Sequence, residues 1–241
     1  MRQLLLLLFL LSLFSCGQAP KPVPLSSESS LGTVSCSPAE YDPQNISELL
    51  TMIDKLPKPL ELECVLRSLK RPFAVYATAS KMSVQPALSR KDPRIFIFKG
   101  NLVLSFATAG EGSLTLEFSE FKNDVRSIKG ELKIPVVSNF KPADAFSQII
   151  NATQTSCSAC HTSEQAEYLV GGVQVYSSRP LKPTASFKVT LAELEAENYL
   201  CQAKQDRSRR CAIYSALLSK GQVTDREFPE DTPTLLDAFI K

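Results

Sequence analysis

The chain has 241 residues, 44% of them hydrophobic, with 27 Lys and Arg against 25 Asp and Glu for a formal net charge of +2. That apolar content supports a packed core, and the mixed, near-neutral charge supplies no general field for a polyanion, so no nucleic-acid partner is expected. Seven cysteines and a single histidine set the remaining constraints.

Met1 and Arg2 precede an apolar run at residues 4–11, followed by Leu13-Phe14-Ser15-Cys16-Gly17. The run is short of the roughly 20 apolar residues that a membrane span needs, and a charged start with an apolar middle is the pattern of an export signal, here residues 1–15. Leu13-Phe14-Ser15-Cys16 resembles the lipobox of bacterial lipoproteins. The resemblance implies cleavage before Cys16 and acylation of its thiol, where each buried methylene is worth about 0.8 kcal/mol. Residues 16–35, with Pro20, Pro22 and Pro24 ahead of Ser26, Ser27, Ser29 and Ser30, lack apolar periodicity and read as a tether reaching roughly 25 Å. The expected location is the cell envelope, lipid-anchored at the periplasmic face of the outer membrane.

Residues 36–141 read as a helix pair followed by a sheet. Asp42 is the expected N-cap of the first helix, with Pro43 at its first position, Ile46, Leu49, Leu50, Ile53 and Leu56 on one side, and Pro57 as the stop. Leu62, Val65, Leu66 and Leu69 mark a second short helix before Pro72. Strand-like composition then recurs at residues 73–78, 94–98, 102–107, 114–121 and 127–136. The connectors Lys99-Gly100-Asn101, Gly110-Glu111-Gly112 and Lys122-Asn123-Asp124 are short, which predicts a sequential antiparallel meander. Leu114, Leu116 and Phe118 alternate, so one face is expected in the core and the other in water.

Residues 142–241 read as mixed and mostly helical. Ala145, Phe146, Ile149 and Ile150 have helical spacing, residues 173–176 and 186–189 are strand candidates, and Thr190 with Glu193 forms a capping box ahead of Leu191, Leu194 and Leu200. A last helix is expected over residues 209–219, closed by Lys220 and Gly221. The fold class is therefore α+β.

Within this part, Cys157, Ser158, Ala159, Cys160 and His161 spell C-x-x-C-H, and His161 is the only histidine in the chain. This is the attachment signature of haem c: each thiol adds across a haem vinyl group, and the adjacent imidazole ligates the iron as its proximal ligand. The spacing predicts one covalent haem on Cys157, Cys160 and His161. With no second histidine, Met82 is the distal candidate, Met52 belongs to an apolar helix pattern, and Tyr168 or a lysine follows, so an open sixth position leads. Glu164 and Glu167 stand at helical spacing near the motif and read as a solvated face; no catalytic residue is assigned. Two other readings of the motif are a tetrahedral zinc site completed by Cys201 or Cys211, and a structural C-x-x-C disulfide.

After Cys16, Cys157 and Cys160 are set aside, Cys36, Cys64, Cys201 and Cys211 remain as disulfide candidates. Three pairings are open, and the local pairs Cys36 with Cys64 and Cys201 with Cys211 are expected because each brackets one short structural unit. The basic stretch at residues 204–210 reads as a solvated turn between helices, or as a docking loop for an acidic redox partner.

The mature chain resembles a group of exported bacterial lipoproteins of unassigned function, in which a β-rich segment, here from Asp92-Pro93-Arg94-Ile95-Phe96-Ile97-Phe98 onward, precedes one C-x-x-C-H and a pair of spaced cysteines. The resemblance implies membership of a haem-motif lipoprotein group and supplies neither a substrate nor catalytic residues; with the motif and the anchor, the expected function is a membrane-anchored haem lipoprotein with an accessory electron-transfer or redox-responsive role. The alternative from another class is a non-enzymatic envelope interaction lipoprotein braced by disulfides.

Overall fold

In the computed structural model, which describes residues 36, 39–138, 140–218 and 220–240, the first helix starts at Asn45 rather than at Asp42. Asn45 Oδ1 accepts from the Glu48 amide at 2.9 Å, and the Glu48 carboxylate accepts from the Gln44 amide at 2.8 Å, so amides left open at the helix start are satisfied. Asp42 instead meets Lys99 Nζ at 2.5 Å and is spent on the sheet. Helix α1 (Ile46–Lys55) buries Ile46, Leu49, Leu50, Met52 and Ile53, and α2 (Leu62–Ser68) buries Leu62, Val65 and Leu66. The Cys36–Cys64 disulfide, with Cα atoms 5.0 Å apart, ties the chain ahead of α1 to α2.

The meander follows as five strands: β1 (Phe73–Thr78), β2 (Arg94–Lys99), β3 (Leu102–Ala107), β4 (Thr115–Asn123) and β5 (Arg126–Lys133), each antiparallel to the next. The expected hairpin at residues 110–112 is instead the start of a 3-10 turn, Glu111–Leu114. After one helical turn, α3 (Asp144–Ser147), a two-residue ladder joins β6 (Ile150–Asn151) to β7 (Gln154–Thr155). The helical spacing read through Ile150 therefore stops at Ser147. Gly130 permits this packing, because a Cβ there would lie 2.6 Å from the Phe118 ring and 3.0 Å from the Ala145 carbonyl.

The chain then returns to the main sheet. β8 (Gln165–Val170) and β9 (Val173–Ser178) form a hairpin that joins β5 through β9. Glu164 and Glu167 thus lie at and in a strand, not on a helix; pairing to β9 overrides their helical spacing. At the opposite edge, β1 pairs with β10 (Lys188–Val189) and in parallel with β11 (Val223–Asp225), giving nine strands. Of the expected strand at 186–189, residues 186 and 187 lie in a 3-10 turn. Helix α4 (Leu191–Ala203) carries the expected Thr190–Glu193 capping box, α5 (Arg209–Leu218) is bound to it by the Cys201–Cys211 disulfide, and α6 is Leu235–Ile240. The class is α+β, and strands from both sides of residue 142 share one sheet.

Alternation along the strands separates two interiors. Phe73, Val75, Ile95, Ile97, Leu104, Phe106 and Leu116 enter the main core with α1, α2, α5 and part of α4. Tyr76, Phe96, Phe98 and Val103 point to the other face, where Phe228 lies edge-on to all three rings at 5.1–5.2 Å between centroids. The second face, expected in water, is thus largely covered too. Phe106 is fully buried; Phe106→Ala should cost about 3–5 kcal/mol through lost burial and the cavity left behind, read as a fall in the urea unfolding midpoint.

Candidate functional site

The C-x-x-C-H sequence is a single tight turn. Thr155 caps it, its hydroxyl accepting from the Cys157 amide at 3.1 Å, and residues 156–159 form a 3-10 helix. The Cys157 carbonyl then accepts from the Cys160 amide at 3.1 Å and from the His161 amide at 2.8 Å. Thr155 is itself held by Glu164, whose carboxylate accepts from the Thr155 amide at 2.9 Å and from its hydroxyl. Beyond the motif, the Arg179 amide donates to the Thr162 carbonyl at 3.1 Å, fastening the turn to the end of β9.

The imidazole is oriented by this frame. His161 Nδ1 lies 2.8 Å from the Arg179 carbonyl oxygen. A carbonyl only accepts, so Nδ1 carries the proton and the neutral ring keeps its lone pair on Nε2. Burial, with added repulsion from Lys129 and Arg94, holds the imidazole down at about 3 against a usual 6.5, so it is neutral at physiological pH. Burial also pushes the Cys157 thiol up, partly offset by Lys129 and by the hydrogen bond with Thr155. Cys157 and Cys160 are both unpaired, the two free thiols among the described residues.

All three side chains line one cleft, a cavity of about 200 Å³ against the second face of the sheet. Register fixes its floor. Phe96, Ser105, Glu117 and Glu131 stand in one row across β2 to β5, and Ser119 faces Lys129 in the next. The aromatic half of this face lies toward Phe228, and the polar half meets the motif turn. Arg94 pairs with Glu117, and it also donates to Ser105 at 2.8 Å and to Ser83. Lys129 donates to the Ser127 and Ser178 hydroxyls at 2.8 and 3.0 Å, and burial draws its ammonium down to about 8.

The expected site residues divide clearly. Met82 lines the same cleft and is 70% exposed, so the structure brings this distal candidate to the cavity that His161 also lines. Tyr168 stands outside the cleft lining, and Met52 is core. Zinc through Cys201 or Cys211 lacks those ligands, since they are bonded to each other, and among the described residues no group of three His, Cys, Asp or Glu side chains is placed to hold a metal. In the basic stretch, Arg209 pairs with Glu61, and Arg210 with Asp92 and Glu197, so two of its charges serve internal contacts. Cys16 and the signal and tether residues 1–35 lie outside the described residues.

Lys129, Arg94 and the Arg179 carbonyl were not legible as site groups. The only signal for the first is that Lys129 alternates with core Ile128, which assigns it to the second face without saying what covers that face. No protein-family model, curated protein or solved structure matches the chain.

The half-buried imidazole has a stability consequence. Its folded value near 3 lies below the usual 6.5, so between those values the unfolded chain binds a proton that the folded chain does not, and stability falls as pH drops through this window. The urea midpoint of the apoprotein should decrease from pH 6.5 to 5, above the range where the lowered Glu167 and Glu193 titrate. His161→Asn, whose amide still reaches a carbonyl, should flatten that decrease.

Proposed function

We propose that this chain is an envelope lipoprotein, anchored through Cys16, that carries one covalent haem c on Cys157 and Cys160 with His161 as the proximal iron ligand. One observation carries the reading: the only imidazole donates through Nδ1 to the Arg179 carbonyl and keeps Nε2 for a metal, on the same turn as two unpaired thiols that line a cleft. A backbone carbonyl on the far nitrogen is the usual device for fixing a metal-binding histidine in one tautomer.

The donor set fits a haem. Each thioether forms by addition of S–H across a vinyl C=C, sulfur bonding to the carbon next to the macrocycle and hydrogen to the terminal carbon. No electrons leave, so the step needs two reduced thiols and no oxidant. The bound group would supply a one-electron iron couple. The chain's part is to seat it: Phe96 and Phe228 offer apolar contact, and the turn at residues 156–161 presents the thiols. A cavity of about 200 Å³ is below the roughly 300–1,000 Å³ common for small-molecule sites, so a bound macrocycle would extend beyond it. Met82, which lines the cleft, is the residue that would serve as a distal ligand. The role read from this is accessory electron transfer or redox response with a protein partner, the chain's single histidine being taken up as the proximal ligand.

Expression of the full chain in a host with haem-attachment machinery tests this. Intact mass of the exported protein should include one haem that resists acid-acetone extraction. The Cys157→Ala/Cys160→Ala double variant should lose that added mass while keeping both disulfides. A colourless wild-type protein of unmodified mass, made with competent machinery, overturns the proposal.

A further inference from the structure

We infer that Lys129 on β5 is an anion-recognition group, built to receive a carboxylate of the ligand seated in the cleft. This rests on the haem reading above, under which the carboxylate is a porphyrin propionate. The half-buried ammonium lines the cleft floor, and its hydrogen-bond partners are two hydroxyls, Ser127 and Ser178. Among the described residues it forms no ion pair, whereas Arg94 pairs with Glu117 and Glu131 with Lys133 at 3.3 Å, and the cleft's other lysine, Lys182, donates to the Glu230 carbonyl at 2.6 Å. The charged groups that act on Lys129 from a distance are Glu164, Glu117 and Arg126, with the Cys157 thiol beside them. A buried charge is costly unless paired, and hydroxyl dipoles compensate it only in part.

A second donor is unspent nearby. Arg94 Nε is buried without a hydrogen-bond partner, although the other nitrogens of that guanidinium are engaged. Both Arg94 and Lys129 act on the His161 ring, so the cation and the unpaired N–H lie in the neighbourhood of the proposed proximal ligand. An ammonium without an ion pair and an orphaned donor, in a cleft whose rings include Phe96 and Phe228, match an apolar ligand with an anionic edge. A ligand amine or a neutral macrocycle would leave both unsatisfied.

The test separates the two ideas. Full-chain apoprotein, made without attachment machinery and verified by its two disulfides, is titrated with ferric haem and with haem dimethyl ester, which lacks the free carboxylates. The wild type should bind haem about tenfold more tightly than the ester, the low end for a charge-assisted hydrogen bond. Lys129→Met should abolish that preference, and Lys129→Arg should retain it. An undiminished preference in Lys129→Met, or equal binding of both porphyrins by the wild type, overturns the carboxylate role. A matching change of iron spin state in both variants, with haem and ester alike, would make Lys129 an iron ligand and also overturns it. Failure of the wild type to bind either porphyrin overturns this inference, whereas the haem reading itself falls only with the intact-mass test above.

Discussion

Two-residue alternation through five paired strands gives the sheet two unlike faces, and the rest of the molecule is arranged on them. Ile95, Ile97, Leu104, Phe106 and Leu116 leave on one side and are covered by α1, α2 and α5. Phe96, Ser105, Glu117 and Lys129 leave on the other and become the floor of a cleft. A slip of one residue in any of these pairings would exchange the two sets, placing Lys129 in the main core and Ile128 in the cleft. Register is therefore what keeps the site and the core apart.

The motif turn is held against this floor by polar contacts rather than by extensive burial. Thr155, Glu164 and the Arg179 backbone brace residues 156–161 from three directions, while no residue of its short 3-10 helix is fully buried. Such a turn can present its thiols to an incoming group and still keep the imidazole aimed. The disulfides lie elsewhere: Cys36–Cys64 secures the helix pair, and Cys201–Cys211 secures α4 to α5. The chain thus divides its described cysteines into four in disulfides and two with free thiols.

Electrostatics in the cleft follow from the same division. Burial acts in one direction on the imidazole and the ammonium, favouring the neutral form of each, and in the other on the Cys157 thiol, which it keeps protonated. An added group that brings negative charge at its edge would restore the balance that Lys129 lacks, and a neutral imidazole is the form that binds iron.

The sequence by itself showed the C-x-x-C-H spacing at residues 157–161, the strands at 73–78 and 102–107, and the Thr190–Glu193 cap, because each depends on residues close together along the chain; it left three cysteine pairings open, of which the expected local pairs are the ones formed. It misplaced the first cap, since Asp42 and Asn45 have similar local merit and a distant partner, Lys99, decides between them. It gave Glu164 and Glu167 a helical spacing where the chain forms a strand, because pairing with β9 outweighs local pattern. Only the tertiary structure decided that β8 to β11 extend the sheet at both edges, that Phe228 and the motif turn cover its second face, and that the Arg179 carbonyl meets the imidazole while Lys129 and Arg94 line the same cleft. Periodicity tells a side chain which face to take; what arrives to cover that face is set by contacts between segments far apart in the chain.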